Sequence, residues 1–136
     1  MNWTTQSLAE ALEKTGDYKA VVTDETALSV FSKEQEMPLV VVIKGDFMSV
    51  EAKMFDEKEI VNSANINELL LKATDFLQLS AFTIREVEGT KTYFIVGQLS
   101  SSTIIENVKL EIETMFDNLM DAVDLVLKQN EIDSKE

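Results

Sequence analysis

The stretch from Met37 to Phe55 constrains the fold more than any other part of the chain. Every residue from Met37 to Ile43 is apolar and Lys44-Gly45-Asp46 supplies a turn. From Phe47 to Phe55 the apolar Met48, Val50, Ala52 and Met54 then alternate with Ser49, Glu51 and Lys53. Period-two alternation puts one face of a strand in a core and the other in water, whereas an unbroken apolar run belongs to a strand covered on both faces. A hairpin joining the two kinds belongs inside a sheet. Pro38 is tolerated at its start, where no ladder N–H is required.

The same two-faced pattern returns near the middle of the chain. Leu79 to Val87 and Lys91 to Leu99 read as a hairpin around Glu88-Gly89-Thr90; in its second strand Tyr93, Ile95 and Leu99 point one way and Phe94 and Val96 the other. Gly97 marks a bulge or a close backbone approach. Two shorter β-branched or aromatic segments, Tyr18 to Thr23 and Ala27 to Ser32, flank a turn at Asp24-Glu25-Thr26.

Three helices complete the pattern. Thr4 is placed to cap the first, with Trp3 and Leu8 at hydrophobic-staple spacing and Gly16 as its stop; Leu8, Ala11 and Leu12 share its inner face. The second is expected to start near Asn65, with Glu68 at capping-box spacing and a buried stripe of Ile66, Leu69, Leu70, Ala73, Phe76 and Leu77. The third runs from about Thr103 to Gln129. At about 100° per residue, its apolar positions from Ile105 to Leu127 span an arc of roughly 160°, wider than the stripe of about 100° that a surface helix needs. Residues 131–136 read as a frayed polar tail.

The expected architecture is a single α+β domain over residues 1–136: an antiparallel sheet of five to six strands with helices packed on one face, in the order α, three to four β, α, β, β, α. A mismatch follows from it. Three helices cover one face of a sheet, yet strands 39–43 and 93–96 are apolar on both. Uncovered apolar area of this kind marks an interface, and a homodimer is its commonest form. The expected partner or dimer surface consists of Val40, Val42, Phe94 and Val96 on the strands, with Met115, Leu119 and Met120 on the last helix.

Composition removes reaction classes. The 136 residues include no His and no Cys, and the net charge is −13. Ser-His-Asp triads, thiolate nucleophiles, N/S zinc sites, cysteine-ligated iron–sulfur clusters and His- or Cys-ligated haem are therefore excluded. No G-x-G-x-x-G or Walker pattern occurs among the four glycines. Asp117, Asp121 and Asp124 share one face of the last helix at i, i+4 and i+7, but no D-x-D-x-D-G loop accompanies them and they read as a solvated face. Ser100-Ser101-Ser102 reads as a loop and cap, and Arg85, the chain's one guanidinium, as half of a cross-strand ion pair. The expectation is a non-enzymatic protein with no cofactor and no metal. A small carboxylate- or metal-dependent enzyme is the alternative, with an acidic nucleic-acid mimic behind it.

The acidity argues against nucleic acid as a partner. Residues 1–60 carry −6, residues 61–102 carry −1 and residues 103–136 carry −6, so acidic flanks enclose a nearly neutral centre. The first Lys is Lys14, no apolar leader follows the N-terminus, and the longest apolar run is far too short to span a bilayer. A cytoplasmic protein without membrane insertion is expected.

Two resemblances add to this reading. Met1-Asn2-Trp3-Thr4 with Leu8 and Leu12, the segment Pro38-Leu39-Val40-Val41-Val42, and the run from Phe76 to Ile84 together resemble the YjfI family of small uncharacterised bacterial proteins. That resemblance implies association with phage-shock-protein-A-like coiled-coil proteins of the membrane-stress response, and it carries over no functional residue. In size, acidity and element order the chain is also similar to the type III secretion chaperone-like fold. This likeness implies an acidic homodimer that binds client segments on apolar patches. The strands at residues 18–32 depart from that order by one extra strand.

Overall fold

A computed structural model describes residues 1–34 and 37–136. The elements run α1 (Thr5–Lys14), β1 (Tyr18–Val22), β2 (Ala27–Ser32), β3 (Leu39–Lys44), β4 (Phe47–Asp56), a 3₁₀ turn (Glu57–Glu59), α2 (Ser63–Ala73), β5 (Ala81–Val87), β6 (Thr90–Ser100) and α3 (Ile105–Ser134). The strands form one sheet in the order β1-β2-β3-β4-β6-β5, antiparallel at every step. The α+β architecture expected from the sequence is the one observed, with four strands ahead of α2.

Register decides which side chains enter the core. Val41 faces Val50 and Val50 faces Gly97, while Ala52 faces Ile95, so Leu39, Val41, Met48, Val50, Ala52 and Ile95 all point to one side. On that side they meet Leu8 and Leu12 of α1 and Val108, Ile112, Met115 and Leu119 of α3. A second cluster joins Phe55, Ile66, Leu70, Tyr93 and Val126, with the Phe55 and Tyr93 rings stacked at 4.6 Å. The helices thus lie on one face. Between Lys53 and Phe55 the β4–β6 register slips, a bulge that bends the long strands over α2.

Local signals explain the helix starts, with two adjustments. Thr4 caps α1 as expected, accepting from the Ser7 N–H at 3.0 Å, and Ser7 reciprocates. For α2 the cap is Asn62 rather than Asn65. Its side chain accepts from the Asn65 N–H, and the helix ends before Phe76, which is left exposed. At the start of α3, Thr103 and Glu106 stand at capping-box spacing but form no box: Ile104 occupies the cap position, the Thr103 carbonyl accepts the Trp3 indole N–H at 2.7 Å, and its hydroxyl accepts from Asn107. The tail expected to fray is helical as far as Ser134. Asp133 is buried there and accepts from the amide of Asn65, which ties the last turn to α2, and from that of Gln129 one turn earlier in α3.

Candidate functional site

Among the described residues, no helix covers the face of the sheet opposite α1, α2 and α3. Val40, Val42, Phe94 and Val96, all expected at an interface, come together on it: Val40 is paired with Glu51, Glu51 with Val96, and Lys53 with Phe94. Phe47, 70 % exposed, extends the patch, as do Phe31 and Val21 on the strands toward β1. An open hollow of about 730 Å³ lies between Val42, Phe47, Glu51, Arg85, Val96 and Gln98.

One ion pair organises the centre of this face. Arg85 on β5 reaches across β6 to Glu51 on β4, donating from Nη1 to Oε1 at 2.8 Å and from Nη2 to Oε2 at 3.1 Å. Its guanidinium lies 4.8 Å from the centre of the Phe94 ring. A fork-to-fork pair over an aromatic ring is a geometry that arginine, and not lysine, can make. The Arg85 hydrogen bonds hold the Glu51 carboxyl below the usual carboxylate range, and Ser49 adds a further bond to it. The expected surface ion pair is therefore present, in a bidentate form that spans a strand.

Charge on this face runs against the charge of the molecule. Its strand positions carry Lys19, Lys44, Lys53 and Arg85 against Glu51 and Asp56, a formal excess of two cations in a chain of net −13. The acids concentrate elsewhere. Glu106, Glu113, Asp117, Asp121 and Asp124 are exposed on α3, and Asp17 and Glu34 join Glu113 and Asp117 around one hollow on the helix side.

The three helical residues expected at the interface are not on this face. Met115, 1 % exposed, and Leu119, 5 % exposed, belong to the core and are corrected accordingly; Met120, 57 % exposed, lies on the outside of α3, away from the open face. The cause is geometric. The centre of the wide apolar arc on α3 meets the helix's own sheet, and only its margins, Met120 and Leu127, emerge.

The remaining polar candidates have local partners or face solvent. Asp117, Asp121 and Asp124 are all exposed, and Asp124 pairs with Lys128 at 2.9 Å. Ser101 is buried: its hydroxyl donates to the Gly45 carbonyl and its N–H to the Asp46 carbonyl, fastening the β3–β4 turn to the start of α3. Among the described residues, no group of three acids is placed to hold a metal ion and no helix is long and apolar enough to cross a membrane.

Two features lie outside the sequence expectations. Glu111, only 3 % exposed, projects from α3 onto Gly97 of β6. Its Oε1 has no hydrogen-bond partner, and burial pushes its carboxyl up to about 7. The sequence signal was an acid three residues after Val108 and four before Met115, inside the apolar stripe. Gly97 is thus a site of close approach. The second feature is an apolar groove of about 380 Å³ between α2 and β5, lined by Leu70, Leu71, Phe82, Ile84 and Tyr93, with the Tyr93 hydroxyl donating to Asn67. Exposed Leu71 and Ile84 line this groove, beside the free edge of β5.

Comparison with known proteins places this geometry in a family. Residues 2–129 match the family described as "Uncharacterized protein conserved in bacteria (DUF2170)". The "Uncharacterized protein YjfI" of Escherichia coli strain K12, and that of Escherichia coli O157:H7, are each 26% identical over 127 residues, covering 92% of this chain and 96% of theirs. An uncharacterized protein from Methanothermobacter thermautotrophicus, solved by crystallography, superposes with a TM-score of 0.64 at 12% identity, over 93% of this chain and 99% of that one. That match shows a shared fold. With the family model spanning nearly its whole length, the chain belongs to the DUF2170 family.

Proposed function

We propose that the protein is a non-enzymatic interaction module of the bacterial cytoplasm, homodimeric, which holds another protein against the open face of its sheet. The observation that carries this reading is the gathering of Val40, Val42, Phe94 and Val96 on a face that, among the described residues, no helix covers. Contiguous apolar surface of this kind, rimmed by polar residues, is what protein-binding sites offer. The one carboxylate in its hollow, Glu51, is clamped by Arg85, which leaves it poorly suited to act as a general base. A cysteine-free chain suits a reducing compartment.

The dimer is favoured by the α2–β5 side. There β5 ends the sheet with unpaired backbone groups, flanked by exposed Leu71 and Ile84. A free strand edge beside apolar side chains can pair with its own copy about a two-fold axis. Residues 61–102 carry only −1, so two strongly acidic chains repel least at this point. The other edge, β1, is obstructed by Glu13, whose carboxylate accepts from the Ala20 N–H at 3.4 Å.

Light scattering on a sizing column tests the dimer. The wild type is expected to run as a dimer at tens of micromolar and Ile84→Arg as a monomer; a monomeric wild type refutes the homodimer. Co-purification from the native host tests the open face: Val96→Asp is expected to lose a protein that the wild type and Ile84→Arg both retain. Equal recovery by all three refutes docking on this face.

A further inference from the structure

We infer that the occupant of the open sheet face is an amphipathic segment of another protein, with an apolar stripe flanked by carboxylates. The inference rests on the docking reading above and adds the chemistry of the partner. Valine side chains make the middle of the face: Val40 and Val42 on β3 and Val96 on β6 are contiguous across Glu51. The Arg85–Glu51 pair neutralises itself there. Around this centre stand Lys19, Lys44 and Lys53. Lys53 pairs with Asp56 at 3.3 Å, and among the described residues Lys19 and Lys44 make no ion pair. An apolar centre with unpaired cations at its margin is complementary to an apolar stripe with anions at its margin.

The same charges weigh against the other occupants. A second copy placed face to face would set lysine margin against lysine margin. A single-stranded nucleic acid needs a run of open aromatic planes on which successive bases stack, whereas the centre here is aliphatic, Phe94 already carries the Arg85 guanidinium, and Phe47 alone stands mostly open at one end of the face. A helix laid on the bare face would complete the layering that α1 and α3 supply on the other.

Fluorescence anisotropy with the full chain tests the inference. The probes are two labelled synthetic peptides about 18 residues long, some five helical turns, identical in their leucine stripe but with Glu or Lys at the flanking positions, and a short labelled oligouridylate. The Glu peptide is expected to bind about tenfold or more tighter than the Lys peptide at low salt, with the ratio falling as salt screens the margin. Lys19→Glu combined with Lys44→Glu should reverse the preference, and Val96→Asp should abolish both complexes. Equal binding of the two peptides, lost in Val96→Asp, overturns the inference and leaves the docking reading standing. Failure of both peptides to bind overturns both. Tighter binding of the oligouridylate than of the Glu peptide overturns the inference in favour of nucleic acid.

Discussion

Glu111 and Gly97 occupy each other's space: a Cβ built on Gly97 would lie 1.8 Å from Glu111 Oε1 and 2.7 Å from the Leu79 carbonyl oxygen. The absence of a side chain on β6 is what lets α3 lower a carboxyl group onto the sheet. Gly97→Ala should therefore cost about 1–3 kcal/mol, the range for overpacking a filled site. Urea midpoints measure it. Pairing the change with Glu111→Ala should recover part of the loss and not all of it, because the Leu79 carbonyl stays in the way.

Glu111 also sets a pH dependence. Its folded-state carboxyl, raised to about 7, holds a proton that the unfolded chain releases at its ordinary carboxylate value. Below that ordinary value both states are protonated and nothing is lost. As pH rises toward 7 the unfolded state alone ionises and stability falls, by on the order of 2 kcal/mol, levelling once both states are ionised. Glu111→Gln should abolish this part of the decline and unfold at a higher urea concentration than the wild type at pH 8. Parallel curves for the two proteins from pH 4 to 8 would refute the account.

Arg85 and Glu51 should behave as a coupled pair. Each change to Ala alone is expected to destabilise by about 1 kcal/mol, as befits a charge-assisted bond at a partly open surface, and the double variant by less than the sum. Because Arg85 holds the Glu51 carboxyl low, the contribution is present above the ordinary carboxylate range and disappears as pH falls through the depressed value. A double-mutant cycle at pH 7, repeated at successively lower pH below the ordinary carboxylate value, should find the coupling declining as Glu51 takes up its proton.

Met115 and Met120 separate the core from the outer surface of α3. Met115→Ala should cost about 2–5 kcal/mol, and Met120→Ala less than about 0.5 kcal/mol. Thermal midpoints of the two variants provide the comparison.

The sequence made the sheet legible because period two and unbroken apolar runs leave few alternatives; all six strands lie within a few residues of where the pattern puts them. It placed Val40, Val42, Phe94 and Val96 on one surface for the same reason. Helix faces were less legible. The stripe on α3 is wide enough to rotate, and only packing against Val41, Val50 and Ile95 decides that Met115 turns inward. Local cap chemistry likewise could not foresee that Trp3 would claim the Thr103 carbonyl, or that Asn65 and Gln129 would hold the last turn of α3 in place. The Trp3–Thr103 and Asn65–Asp133 bonds join residues 100 and 68 positions apart, so no short window of sequence contains both partners.

The Trp3–Thr103 bond has a practical consequence. Trp3 is the only tryptophan in the chain, and its indole is seated by a contact that closes a loop of 100 residues enclosing all six strands. Closing so long a loop costs entropy that only an assembled core offsets. The intrinsic fluorescence of this protein therefore reports on a closure that spans the whole sheet, a built-in optical readout of the assembled fold that needs no added label.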